Sequence, residues 1–138
     1  MQATSDSISN LAKALIAARA EMTHPVRNKV NPHFKYSYAD LTSVLDAVVP
    51  VLNKHGLALV QLVDVKSLVT ILMHTSGEYI SSCADIPAHT NAQQLGSALT
   101  YLRRYTVQAL AGLAAEDDDD GSAASPNNNE SSPTGEDW

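Results

Sequence analysis

Two short stretches carry the residue types that could do chemistry. Residues 27–38 interleave Arg27, Lys29 and Lys35 with Phe34, Tyr36 and Tyr38, and residues 101–105 hold Tyr101, Arg103, Arg104 and Tyr105. Cations pair with phosphates and flat rings stack on bases, the stacking being worth roughly 1–3 kcal/mol per base. Such a mixture suits a single-stranded nucleic acid held without regard to sequence. Several of these residues also have a plainer reading: Arg104 as solvated surface, Tyr105 as core packing, Phe34 as a hydrophobic plug beneath its loop. On these residues alone the chain is a small α+β domain with a candidate nucleic-acid face.

At about 100° per residue, a helix through the second stretch puts Ser97, Tyr101, Arg104 and Gln108 opposite a stripe of Leu95, Leu99 and Leu102. Arg103 flanks that stripe beside Gly96 and Val107. Neither arginine has an acid three or four positions away, so neither is committed to an ion pair on its own helix. Arg104 with Tyr101 is the expected outward-facing pair. Arg103 is left to reach a phosphate, a neighbouring subunit or a buried acid.

Other chemistries find little support. The six glycines form neither a G-x-x-x-x-G-K-[ST] loop nor G-x-G-x-x-G, so nothing points to nucleotide hydrolysis. His24, His33, His55, His74 and His89 make no H-E-x-x-H or H-x-H pair. Cys83 is the only cysteine, which excludes an intramolecular disulfide and a C-x-x-C redox pair and fits a reducing, cytoplasmic setting. Asp117–Asp120 could attract a divalent cation, but consecutive carboxylates in a polar segment read as a solvated charge run. We expect no cofactor, no metal and no enzymatic step. Neither a membrane-spanning apolar run nor the basic and apolar regions of a signal peptide are seen.

The elements that must position these residues follow from periodicity. Ile8, Leu11, Leu15, Ala18 and Met22 mark a first helix, with Ser5, Asp6 and Ser7 available to cap it and Pro25 stopping it near Thr23. Residues 24–37 lack apolar periodicity and read as a loop. Ser37 and Asp40 have capping-pair spacing ahead of a second helix through Leu41, Val44, Leu45, Val48, Leu52 and His55, with Pro50 inside it and Gly56 ending it. Residues 57–63, 67–74 and 78–84 predict three antiparallel strands. Leu95, Leu99, Leu102, Thr106, Ala109 and Leu113 mark a third helix. The expected fold is α+β: helix, loop, helix, a three-stranded antiparallel β-meander and a C-terminal helix.

Charge divides the 138 residues in two. Residues 1–115 hold all nine Lys and Arg against seven Asp and Glu, a net of +2, whereas residues 116–138 hold eight acids and no base, a net of −8. The total of −6 therefore averages a mildly basic domain, 1–115, and an acidic tail, 116–138, whose composition predicts disorder. An acidic total is weak evidence against a polyanionic partner when the acids are segregated.

Two segments resemble the ERF (essential recombination function) family of phage single-strand annealing proteins. Asn31-Pro32-His33-Phe34-Lys35-Tyr36-Ser37-Tyr38-Ala39-Asp40-Leu41 through Val49-Pro50-Val51-Leu52-Asn53-Lys54-His55-Gly56-Leu57 is similar to the family's N-terminal signature. Gln94-Leu95-Gly96-Ser97-Ala98-Leu99-Thr100-Tyr101-Leu102-Arg103-Arg104-Tyr105, running on to Glu116-Asp117-Asp118-Asp119-Asp120-Gly121, resembles its closing helix and acidic exit. The resemblance implies the β-β-β-α core of single-strand annealing recombinases. It also implies ATP-independent annealing by homo-oligomeric rings or filaments in a bacterial host cell, with DNA along a basic groove. The binding residues would be Arg27, Lys29, Lys35, Tyr36, Tyr38, Tyr101, Arg103 and Arg104. The chain departs from longer family members in having almost no second domain. Its Gly135-Glu136-Asp137-Trp138 end loosely resembles tails that recruit partners, which here would be a single-strand binding protein or a nuclease; a DNA mimic and a solubilising end are the other readings. The rival function is a coating or mediator protein that binds single strands without annealing them.

Overall fold

The structure, a computed structural model, describes residues 2–33 and 35–114. In chain order these form α1 (Ser9–Glu21), β1 (Lys29–Val30), β2 (Ser37–Tyr38), α2 (Leu41–Lys54), β3 (Leu57–Asp64), β4 (Ser67–His74), β5 (Tyr79–Asp85) and α3 (Ala92–Ala111). The expected α+β order is present, with a small hairpin added where a loop was predicted. Phe34, the acidic tail and the boundary drawn at residue 115 lie outside the described residues.

The meander pairs as β3-β4-β5, antiparallel throughout. Directly opposed residues share a face, so Leu57, Leu59, Gln61, Leu68, Thr70, Leu72 and Ile80 point one way. The helices cover that face. Leu57 and Leu72 join Leu11 and Ala18 of α1, Val44, Val48 and Leu52 of α2, and Val107 and Ala111 of α3 in one core. Each buried leucine contributes about 1.5–3 kcal/mol relative to exposure. The outer edge of β5 is partly covered by the N-terminal segment, through Ser5 N–H to Tyr79 O at 3.0 Å and Ser81 N–H to Ala3 O at 2.7 Å.

Three local expectations need correction. Of the Ser5–Ser7 cluster, only Ser7 serves the start of α1, its Oγ accepting Ser9 N–H at 3.2 Å, while the N-cap Ile8 makes no side-chain bond. Glu78 adds a second cap from the β4–β5 turn, accepting hydrogen bonds from Leu11 N–H at 2.8 Å and Asn10 Nδ2 at 3.0 Å. Ser5 meanwhile accepts Tyr79 N–H at 2.9 Å. Ser37 does not cap α2; it lies in β2, and Asp40 is the N-cap, taking Ser43 N–H at 3.0 Å. The loop at 24–37 contains the β1–β2 hairpin, closed by Asn31 N–H to Tyr36 O at 2.9 Å and Lys35 N–H to Asn31 O at 2.8 Å. Strands of two residues are too short to show period-two alternation.

Helix α3 buries a different side from the one its leucines predict. Its fully buried positions are Val107, Gln108 and Ala111, while Leu95, Leu99 and Leu102 are only half-buried. Positions 104, 107, 108 and 111 form one helical stripe, and this stripe is the one that packs inward. Arg104 and Gln108 therefore turn toward the protein, not away from it. The buried side of α3 is set by its packing against α2 and β4. The density of leucines in its first turns indicated the wrong side. Pro50 lies within α2 as expected, on its exposed side, where water can serve the released Asp46 carbonyl.

Candidate nucleic-acid interface

The hairpin and α3 meet at Arg104. Its guanidinium carbon lies 4.5 Å from the centroid of the Tyr38 ring, 5.0 Å from Tyr105 and 6.0 Å from Tyr101. Tyr101 and Tyr105, one helical turn apart, have centroids 4.6 Å apart and rings tilted by 49°. Tyr36 meets Tyr38 edge-on at 6.4 Å. One cation thus joins rings from two distant parts of the chain, each contact worth about 0.5–2 kcal/mol depending on its exposure to water. Arg104 Nε is buried and has no hydrogen-bond partner among the described residues. No described carboxylate pairs with it.

Tyr101 differs from the other rings. It is 55% exposed, whereas Tyr36, Tyr38 and Tyr105 are half-buried. Its outer surface is open for a base to stack upon, and the rings and guanidinium behind it hold it in place. The hairpin is held from its other side by Asp40, whose N–H donates to Asn28 Oδ1 at 3.1 Å. The Asp40 carboxyl lies below its ordinary pKa, chiefly through the Ser43 amide and further through Asn28 and Lys29.

Of the candidate residues, the structure brings Tyr36, Tyr38, Tyr101 and Arg104 together, and Tyr105 with them. Lys29 is exposed and stands opposite Tyr38 in the hairpin register. Arg27 and Lys35 are exposed on the same segment, Lys35 with a positive φ of 61° in the turn. Arg103 lies on another side of α3, where its Nε donates to Gln61 Oε1 at 3.1 Å. Gln61, Thr70 and Thr106 complete that contact and were not anticipated. A polar Gln inside the otherwise apolar Leu57–Val63 run was their one signal.

Among the described residues no three His, Cys, Asp or Glu side chains lie close enough to hold a metal ion, and no helix is long and apolar enough to cross a membrane. A shallow depression of about 520 Å³ at the start of α3 is lined by Ala88, Asn91, Gln93, Gln94 and Ser97. These side chains offer hydrogen bonds but no group that titrates near neutrality.

A family model, that of the ERF superfamily, matches residues 11–137. No curated protein and no solved structure matches the chain.

Proposed function

This chain belongs to the ERF superfamily, and on that premise we propose that it binds single-stranded DNA and anneals complementary strands in bacteriophage recombination, as a homo-oligomer and without nucleotide hydrolysis or metal. The observation that carries the reading is the Arg104 cluster, which joins the aromatic, basic hairpin to the aromatic, basic turn of α3. Family membership supports recombination and single-strand annealing; the exposed Tyr101 ring and the exposed cations of the adjoining hairpin segment, Arg27, Lys29 and Lys35, are consistent with stacking and phosphate contacts.

In this mechanism cations on successive subunits neutralise one strand while exposed rings hold its bases apart. Pairing with the complement then supplies the free energy, and no covalent step is required. A net charge of +2 on residues 1–115 makes one subunit a weak ligand. Repetition along the strand raises the affinity through effective concentration, so self-association belongs to the mechanism.

The test is the annealing rate of two complementary oligonucleotides with and without the purified chain, in EDTA and without ATP. Acceleration supports the reading. Tight binding without acceleration assigns the chain to strand coating or mediation, and absence of binding removes the DNA reading altogether.

A further inference from the structure

A second polar constellation lies between α3 and the sheet. Gln61 of β3 stands directly opposite Thr70 of β4, on the largely apolar sheet face that packs against the helices. Its Nε2 donates to Thr70 Oγ1 and to Thr106 Oγ1, both at 2.9 Å. Thr106 Oγ1 lies 2.8 Å from the Leu102 carbonyl. A hydroxyl has one proton, and giving it to that carbonyl leaves only lone pairs to face Gln61. The amide orientation follows: NH₂ toward the two threonines and Oε1 toward Arg103, whose Nε donates to it at 3.1 Å.

This bond leaves the other edge of the guanidinium unused. The two η nitrogens of Arg103 have no hydrogen bond or ion pair with any described residue, and the side chain is only half-buried. A guanidinium held through Nε presents its η nitrogens as a rigid fork, and that spacing matches two oxygens of one phosphate group. Arg104, the next residue, is turned about 100° around the helix. Its charge sits among tyrosines, so the two arginines are equipped for different parts of a strand.

The geometry points to Gln61 as the positioning residue of a phosphate site, holding Arg103 so that its η nitrogens fork a backbone phosphate of single-stranded DNA. This rests on the single-strand binding reading above. Thr70 and Thr106 serve the site indirectly, by fixing which end of the Gln61 amide faces the arginine.

The test is a double-mutant cycle on the full chain, read by fluorescence anisotropy of a labelled oligothymidylate over a range of KCl concentrations. Arg103→Met is expected to weaken binding about tenfold and to reduce the log–log salt slope by about 0.7, the loss of one phosphate contact. Gln61→Met should weaken binding several-fold on its own and have no further effect once Arg103 is Met. Gln61→Glu, which keeps the acceptor but neutralises the guanidinium, should reduce the salt slope as Arg103→Met does, and it serves if Gln61→Met melts early. Additive losses in the double variant, wild-type binding by Gln61→Met, or an unchanged slope in Arg103→Met or Gln61→Glu would each overturn the proposal. If the unaltered chain fails to bind the oligothymidylate, the single-strand reading falls before any variant is compared, and the phosphate site falls with it.

Discussion

Glu78 accepts the Leu11 amide hydrogen at 2.8 Å, so the β4–β5 turn caps α1 from a distant part of the chain. The same carboxylate takes Asn10 Nδ2 at 3.0 Å. An N-cap supplied within a helix's own flank stabilises that helix alone, whereas this one also ties α1 to the meander. Replacing Glu78 with Ala should lower the melting temperature and loosen α1 before the sheet. Hydrogen exchange should then show residues 11–14 losing protection while β4 keeps it. Equal loss in both would mean that the contact has no local role.

The same bond predicts a pH dependence. The Leu11 amide, and after it Asn10, hold the Glu78 carboxyl below its ordinary pKa. Lys54 and then His55 do the same for Glu21, with contacts of 2.9 and 2.8 Å. A carboxyl whose pKa is depressed in the folded state contributes stability that is present above its unfolded pKa, near 4.3, and is lost as pH falls through the folded value. Glu78→Gln should therefore melt below the unaltered chain at pH 7, with the gap closing in the acid range below about pH 4. A gap that is constant from pH 7 to pH 3 would show that the carboxylate charge contributes nothing.

Much of the fold was legible because its longer elements are apolar runs between turn residues or helices with a recurring apolar spacing. Leu57–Val63 and Ser67–His74 are short runs rich in Val, Ile and Leu bounded by turn residues, and α2 keeps a regular stripe from Leu41 to Leu52. The features that escaped depend on distance or brevity. Glu78 and Leu11 are far apart in the chain, and nothing in the Ser5–Ser7 cluster reveals that Ser5 is engaged by β5. The hairpin strands have two residues each, and its turn uses Lys35 at positive φ where glycine would have signalled it. The candidate site was legible in composition but not in orientation. The two aromatic, basic segments do meet, yet Arg104 turns inward onto Tyr38, because α2 and β4 set which side of α3 is buried.

That inward orientation makes Arg104 sensitive to shape as well as charge. A lysine keeps the charge but lacks the planar guanidinium that lies over the Tyr38 and Tyr105 rings. Arg104→Lys is expected to weaken oligothymidylate binding several-fold with an unchanged salt slope, and to raise the protease sensitivity of the hairpin around residues 29–38. Lysine binding as tightly as arginine, with the hairpin equally resistant, would show that the ring contacts are incidental.

Gly112 ends α3 at φ +67°, with Leu113 N–H returning to the Gln108 carbonyl at 3.0 Å. A Cβ there would meet the Arg19 guanidinium at 2.6 Å, a flexible group that can swing aside. The penalty for Gly112→Ala should therefore come from the left-handed backbone, about 1–2 kcal/mol. Chemical denaturation should give the same loss when Arg19 is also replaced by Ala. A loss that disappears in the Arg19→Ala background would assign it to the steric contact instead.

Tyr101 separates stacking from charge. Its ring is 55% exposed and rests against Tyr105 with centroids 4.6 Å apart, so removing it should disturb the fold little. If a base stacks on the open side, Tyr101→Ala loses about 1–3 kcal/mol of single-strand affinity. Because no cation is removed, the salt slope should remain that of the unaltered chain. Tyr101→Phe, which keeps the ring and loses only the hydroxyl, should bind nearly as well as tyrosine. Anisotropy titrations of the three proteins at two salt concentrations, alongside thermal melts, measure all of this. Full affinity in Tyr101→Ala would move the stacking surface away from α3, leaving the hairpin tyrosines to supply it.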